Sequence, residues 1–342
     1  MKIAYYEENN YHTEIMGTFL EYFTKIGAEI VLYNTRDKSS TPNYFQQFCK
    51  FTIKPHTLLL KEYTLFDLIV IGSSFDTKDF VNKLDKIDYS KFVFICHHPS
   101  TIRKAYSKVL VVTPLNCRPN LNPNIQYVLP IHNYNTNFMP IKQNILTIIG
   151  RFKDANRNTP DLINLIVGYR HLNFVVYIFS RAVKFIPKQL MKLASIYPNK
   201  LQIILKANSD TLDKHLYKSK YILPLVNKNS WYHKDRLSGN IALAYNYNVP
   251  LIIDEKLKDI YHIQHCICYQ NSLSEIIQNV VSMNDSQYEC MVKGFMEEKR
   301  TILDANRQVL DSILKRDSIL KTDPILKTDS ILKTDTMLKT SK

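Results

Sequence analysis

Residues 235–254, DRLSGNIALAYNYNVPLIID, join a polar turn, a short Ala-rich helix, an Asn-x-Pro stop and a buried apolar strand. Ser238 and Gly239 open the helix, with Ser238 placed to cap its free amides through a side-chain oxygen. Asn248 stands where a left-handed C-terminal cap is wanted, and Pro250 keeps the helix from continuing. Residues 249–253 read as an inner strand of a parallel sheet, apolar on both faces. A helix whose open N-terminus faces a crevice is a ready anion site. The stretch therefore predicts an α/β fold with a phosphorylated ligand at this helix.

Upstream, residues 145–149, 174–179, 201–205 and 220–225 are short apolar runs of strand type, with a helix over 159–167. Downstream, residues 266–269 end the series, Ser272-x-x-Glu275 resembles a capping box, and a long helix covers 286–309. A first series precedes it. Residues 2–6, 29–33, 68–71, 92–96, 109–113 and 127–129 read as strands, with a helix over 13–26 stopped at Gly27. Residues 133–142, NYNTNFMPIK, lack such a pattern and read as a linker. Two consecutive alternating series predict two Rossmann-like, doubly wound domains facing one cleft, over residues 1–140 and 141–310.

From residue 311 the chain repeats a hexad five times: DSILKR, DSILKT, DPILKT, DSILKT, DTMLKT. Six residues advance a helix by about 240° beyond a full turn, so the Ile-Leu pair wanders around it. Five copies are too few for a stacked solenoid, and Pro324 opposes regular structure, so residues 311–342 are expected to be a disordered tail.

The formal charge is +14; the tail, with seven Lys/Arg and five Asp, supplies +2 and the body +12. That balance favours anionic partners, including peripheral contact with an acidic membrane. The basic residues are scattered with no aromatic-interleaved block, which speaks against nucleic acid. Six widely spaced cysteines without a CxxC suit a reducing compartment. Cys266 and Cys268 fall in a strand where alternation explains them, so His262, His265 and these thiols are not expected to form a zinc site. The chain enters a strand at once and no apolar run reaches spanning length, which leads us to expect a cytoplasmic protein.

Three segments carry a resemblance to a family. YVLPIHNYNTNF at 127–138 is similar to the segment closing the first domain of GT-B-fold glycosyltransferases, in particular glycosyltransferase family 4. IGRFKDANR at 149–157 resembles the Gly-Arg-Phe opening of their second domain, and residues 220–253 resemble their nucleotide-sugar segment. The resemblance spans roughly residues 1–300 in order and spacing. It implies a GT-B fold and transfer of a sugar from a nucleotide-sugar donor to a glycan, protein or lipid acceptor, with no further cofactor and no metal.

Carried over by position, the resemblance places Arg151 on the donor pyrophosphate, with Arg157 as a second base and Lys153 as its alternative. Ser238, Gly239 and Asn240 form the helix opening beside the phosphates. Asp235 falls where the family's first motif Glu contacts the transferred sugar, and His97 or His98 near the reacting sugar. The second motif Glu, which binds ribose, maps to Leu243. That departure supports an alternative: a non-catalytic GT-B-like nucleotide-binding or scaffold protein. The chemistry fits the charges. Glycosyl transfer expels a diphosphate whose growing negative charge needs fixed positive charge, a helix N-terminus or a metal. The body holds no Asp-x-Asp pair, and Arg forks suit two phosphate oxygens.

Overall fold

The computed structural model describes residues 1–7, 13–34, 44–72, 89–97, 108–116, 124–134, 143–152 and 156–322. Among these, the first domain is one all-parallel sheet. Its strands are β1 (Lys2–Glu7), β2 (Glu29–Asn34), β3 (Thr52–Pro55), β4 (Leu68–Ile71), β5 (Phe92–Cys96), β6 (Val109–Val111) and β7 (Ile125–Tyr127), in the order β3-β2-β1-β4-β5-β6-β7. Strand alternation sends Ile3 and Tyr5 to one core and Ala4 and Tyr6 to the other, so the sheet is buried on both faces. Helix α1 (Thr13–Lys25) packs Ile15, Phe19 and Phe23 on the first of these. A short helix, α2 (Leu59–Glu62), covers the other.

The second domain repeats the plan. Strands β8 (Gln143–Ile149), β9 (Val175–Ser180), β10 (Leu201–Leu205) and β11 (Ser219–Ile222) lie in the order β10-β9-β8-β11. A parallel bridge from Ile222 to Leu251 adds β12 (Ile252–Asp254) and β13 (Ile267–Tyr269). Pro250 interrupts the ladder there, because it has no N–H, and it accepts the Ile222 amide instead at 3.0 Å. Its helices are α3 (Thr159–Gly168), α4 (Lys188–Ile196), α5 (Ser209–Lys218), α6 (Gly239–Tyr247), α7 (Glu255–Tyr261), α8 (Ile277–Ser282) and α9 (Asp285–Thr322). Asn248 closes α6 in the left-handed region, φ 52° and ψ 39°, as its sequence context predicts. Glu275 accepts from the Gln270, Asn271 and Ser272 amides, forming the expected capping box.

Several elements differ from the sequence reading. Strand β3 is an exposed edge with no apolar run, and α4 buries only Leu190 and Leu193, so neither shows a clear period. Strand β7 ends at Tyr127; Val128 still donates to Val111 O and packs in the first-domain core, while Leu129 and Ile131 join the core that holds α6 and α7. Helix α9 runs to Thr322, through the first two hexads. The first hexad has a reason to be helical: Ile313 is buried in the first-domain core and the Tyr22 hydroxyl donates to Asp311. The remaining hexads lie outside the described residues.

The domains meet through buried polar groups on residues 129–133. His132 N donates to Asn246 Oδ1 at 2.8 Å, Asn133 N to Glu21 Oε2 at 2.7 Å, and Thr18 Oγ1 to Ile131 O at 3.0 Å. Asn306 of α9 exchanges two hydrogen bonds with the backbone of Leu129. Lys299 is buried beside them, donating to Asn248 Oδ1 at 3.1 Å. Burial pushes its ammonium down to about 8, partly offset by Glu21. Burial also pushes His132 down to about 3, helped by Lys299. Tyr261 at the end of α7 donates to Thr113 beyond β6 at 3.3 Å, bringing the second domain to the carboxyl edge of the first sheet.

Candidate active site

In a doubly wound sheet the crevice opens where the strand order reverses, at the carboxyl ends of the strands. In the second domain that point lies between β8 and β11. Strand β8 ends at Ile149, and Gly150 turns the chain at φ 115°, a conformation side chains rarely adopt. A Cβ on Gly150 would meet Arg157 Nη2 at 3.2 Å. That guanidinium is 3% exposed and fills the gap between the strand ends. Nη2 donates to Ile149 O at 2.9 Å, Nε to Arg151 O at 3.4 Å, and Nη1 to Pro224 O. Burial depresses its pKa, opposed by Tyr232, whose ring lies 5.7 Å away. Three backbone carbonyls thus hold the N–H groups of Arg157, and it ties the strand ends together. Lys153, its alternative, lies outside the described residues.

Arg151 is different. It is exposed, and its guanidinium carbon sits 4.5 Å from the Phe185 ring centroid, a cation–π distance. The backbone backs this up, since Phe152 N donates to Phe185 O at 3.0 Å. Arg151 thus stands at the rim of the strand end, stacked on Phe185.

Helix α6 begins beside the same strand end. Asn240 Nδ2 donates to Ile149 O at 3.1 Å, which fixes the helix opening against β8. Ser238 has N-cap geometry, but its hydroxyl makes no cap bond, contrary to the sequence expectation. Ser238 Oγ and Asn240 Oδ1 are buried without a hydrogen-bond partner, on residues 1% and 3% exposed. Buried polar atoms are nearly always paired, so two such oxygens at one helix opening stand out. Gly239 lies between them at the start of the helix.

The loop before α6 carries Asp235, whose amide donates to Trp231 O at 3.0 Å and whose Oδ1 lies 3.9 Å from Arg236 Nε. This loop is fastened by a pair that sequence reasoning missed. His233 Nε2 lies 2.9 Å from Asp254 Oδ1, and Nδ1 lies 3.2 Å from Lys228 O. Asp254 also caps α7 by accepting from Leu257 N at 3.1 Å. A strand-ending Asp is a weak signal, and nothing in the sequence couples it to a histidine 21 residues away.

The first domain has its own reversal point, between β1 and β4. Glu7 ends β1 fully buried and accepts from Tyr5 Oη at 3.5 Å. Gly72 follows β4, and a Cβ there would come within 2.4 Å of Glu7 Oε2. His97, after β5, approaches Gly72 O through Nε2 at 3.4 Å. His97 therefore stands at the carboxyl edge beside Glu7; His98 lies outside the described residues. Among the described residues no three or more His, Cys, Asp or Glu side chains are grouped to hold a metal ion.

This arrangement of two sheets with reversal points at one crevice has known counterparts. No protein-family model matches the chain, and no curated relative matches its sequence. Solved structures do. HepE of Anabaena, in complex with UDP and glucose, superposes with a TM-score of 0.63 at 9% identity, covering 92% of this chain and all of that one. A glycosyltransferase from Rickettsia africae gives 0.63 at 13% identity, covering 94% and 99%. An alpha-glucosyltransferase in complex with UDP and a 13-mer DNA gives 0.54 at 15%, covering 92% and 95%. The chain has the GT-B fold of nucleotide-sugar glycosyltransferases. At these identities the likeness speaks for the fold.

Proposed function

We propose that this protein transfers a sugar from a nucleoside diphosphate donor, with the diphosphate held at the opening of α6 and by Arg151. The carrying observation is the pair of buried, unpartnered oxygens, Ser238 Oγ and Asn240 Oδ1, at an N-terminus that no side chain caps. Backbone amides at a helix start and a rim arginine match the charge that grows on a departing diphosphate. In this reading Asp235 contacts the transferred sugar, and His97, His98 and Glu7 line the facing wall. No cation is required, so chelation with EDTA leaves turnover unchanged. Uridine diphosphate is the first nucleotide to test, since several of the similar structures hold it. The acceptor is a glycan, protein or lipid, and the reaction is placed in the cytoplasm.

The test is a donor-hydrolysis screen coupled to nucleotide binding on the full chain. UDP raises the melting temperature, and Arg151→Ala weakens that binding roughly tenfold to a hundredfold, the range for losing a charge-assisted hydrogen bond. If no nucleoside diphosphate moves the melting temperature, the reading fails. Leu243 favours a second reading. It packs on the core shared by α6 and α7, where the resemblance expects a ribose-binding Glu. Nucleotide binding without donor cleavage, across many acceptors, would select a non-catalytic binding protein.

A further inference from the structure

The second domain carries a large charge asymmetry that its linear spacing conceals. Residues 162–209 hold seven Lys/Arg and no Asp or Glu. In the fold this stretch supplies α4, the turn before it and most of α3, which itself holds no Lys or Arg and one acid, the buried Asp161; α3 and α4 cover one face of the β8–β9–β10 sheet. Helix α4 buries Leu190 and Leu193. Its outward side carries Lys188, Met191, Lys192 and Ile196, spaced as one helical stripe. Lys188 and Lys192 are i and i+4, a like-charge pair that weakens a helix in water. No described residue forms an ion pair with Lys184, Lys188 or Lys192.

Large apolar side chains are exposed on the same face: Ile196 is 53% exposed, Val183 51%, Val167 38% and Met191 37%. Among the described residues of this domain only Trp231 joins them as an exposed large hydrophobic. Cations alone would suit any polyanion. Cations interleaved with outward aliphatic groups suit a surface that has charge above and hydrocarbon below, because Lys stems run through the apolar layer while their ammonium groups stay with the headgroups. A nucleic acid offers no such hydrocarbon layer.

We propose that the α3–α4 face docks on an anionic lipid surface. Val183, Met191 and Ile196 enter the boundary between headgroups and acyl chains, and Lys184, Lys188 and Lys192 meet the anionic headgroups. The face begins at the crevice rim: Lys184 Nζ lies 5.4 Å, and the Arg151 guanidinium carbon 4.5 Å, from the centroid of one shared ring, Phe185. Docking therefore brings the rim of the crevice to the headgroup layer. The inference goes beyond the transferase reading and stands without it, since vesicle binding is measured with no donor present.

The experiment is co-sedimentation of the full chain with vesicles of phosphatidylserine mixed with phosphatidylcholine, against vesicles of phosphatidylcholine alone. Binding is expected only to the mixed vesicles and falls with added salt. Lys188→Gln with Lys192→Gln weakens the partition about thirtyfold, from the typical worth of two surface cations near an anionic leaflet. Met191→Ser with Ile196→Ser also weakens it, with the salt dependence retained. All four positions are exposed, and an unchanged melting temperature confirms that each variant is folded. Equal sedimentation with both vesicle types, or an unaffected double Lys variant, overturns the proposal. So does duplex DNA binding that competes with vesicles while the Met191/Ile196 variant binds both normally.

Discussion

At the crevice floor of the second domain, the buried Arg157 guanidinium is bound by three backbone carbonyls, and Lys299 near the domain contact is held by Asn248. On the α3–α4 face of the same domain, Lys184, Lys188 and Lys192 project outward with no described carboxylate partner. Both regions are basic, yet only one keeps its charge available. A cation engaged by the protein's own oxygens is an internal brace. A cation left at the surface can serve a partner. Positive charge near a site thus says little until its hydrogen-bond partners are counted.

The most severe way to break this contrast is at Arg157. Arg157→Ala strips three carbonyls of their donor and opens a cavity, and should cost about 3 kcal/mol or more in urea denaturation. Arg157→Lys should restore little, because an ammonium cannot reproduce the fork. If Arg157→Ala keeps full stability but loses UDP binding, the brace assignment is wrong and the residue is a ligand contact.

Lys299 sharpens the contrast through pH. Its ordinary value of 10.5 in the unfolded chain falls to about 8 on folding. Between those values the unfolded chain holds the extra proton, so raising the pH favours the folded state. The gain across that window is on the order of 3 kcal/mol. Lys299→Met should flatten this alkaline rise; equal slopes for the two proteins would remove Lys299 as its source. His132 works at the acid end with the same sign. Its folded value of about 3 lies below the ordinary 6.5, so stability is lost as pH falls through that window.

The smallest effect is expected at Ser238. Its hydroxyl has no partner within the protein, so Ser238→Ala should change stability by less than about 0.5 kcal/mol. UDP affinity should nevertheless fall several-fold, by about 1 kcal/mol for one lost hydrogen bond. Unchanged affinity would mean that the orphaned oxygen does not face the ligand.

Much of the frame was legible in the sequence because buried parallel strands advertise themselves as Ile/Val/Phe runs, as in Phe92–Cys96. The α6 opening was legible too, since Ser-Gly before an Ala-rich run and Asn-x-Pro after it leave few alternatives. What failed were properties that depend on partners. Gly150-Arg151 and the downstream Arg157 look alike on paper, and only the positions of the Ile149 and Pro224 carbonyls separate brace from rim. The His233–Asp254 pair is joined by tertiary contact alone. The basic face was hidden because Lys188 and Lys192 read as scattered cations until the burial of Leu190 and Leu193 turns them outward.

Helix α9 starts in the second domain and ends against the first, where Leu310 and Ile313 are buried. The backbone therefore passes between the domains twice, once after β7 and once along this helix. Two bodies linked at a single point can swivel in any direction. Linked at two, they retain one free rotation, about the line through both crossings. Any change in the angle between the two sheets must therefore also move α9, whose ends belong to different domains.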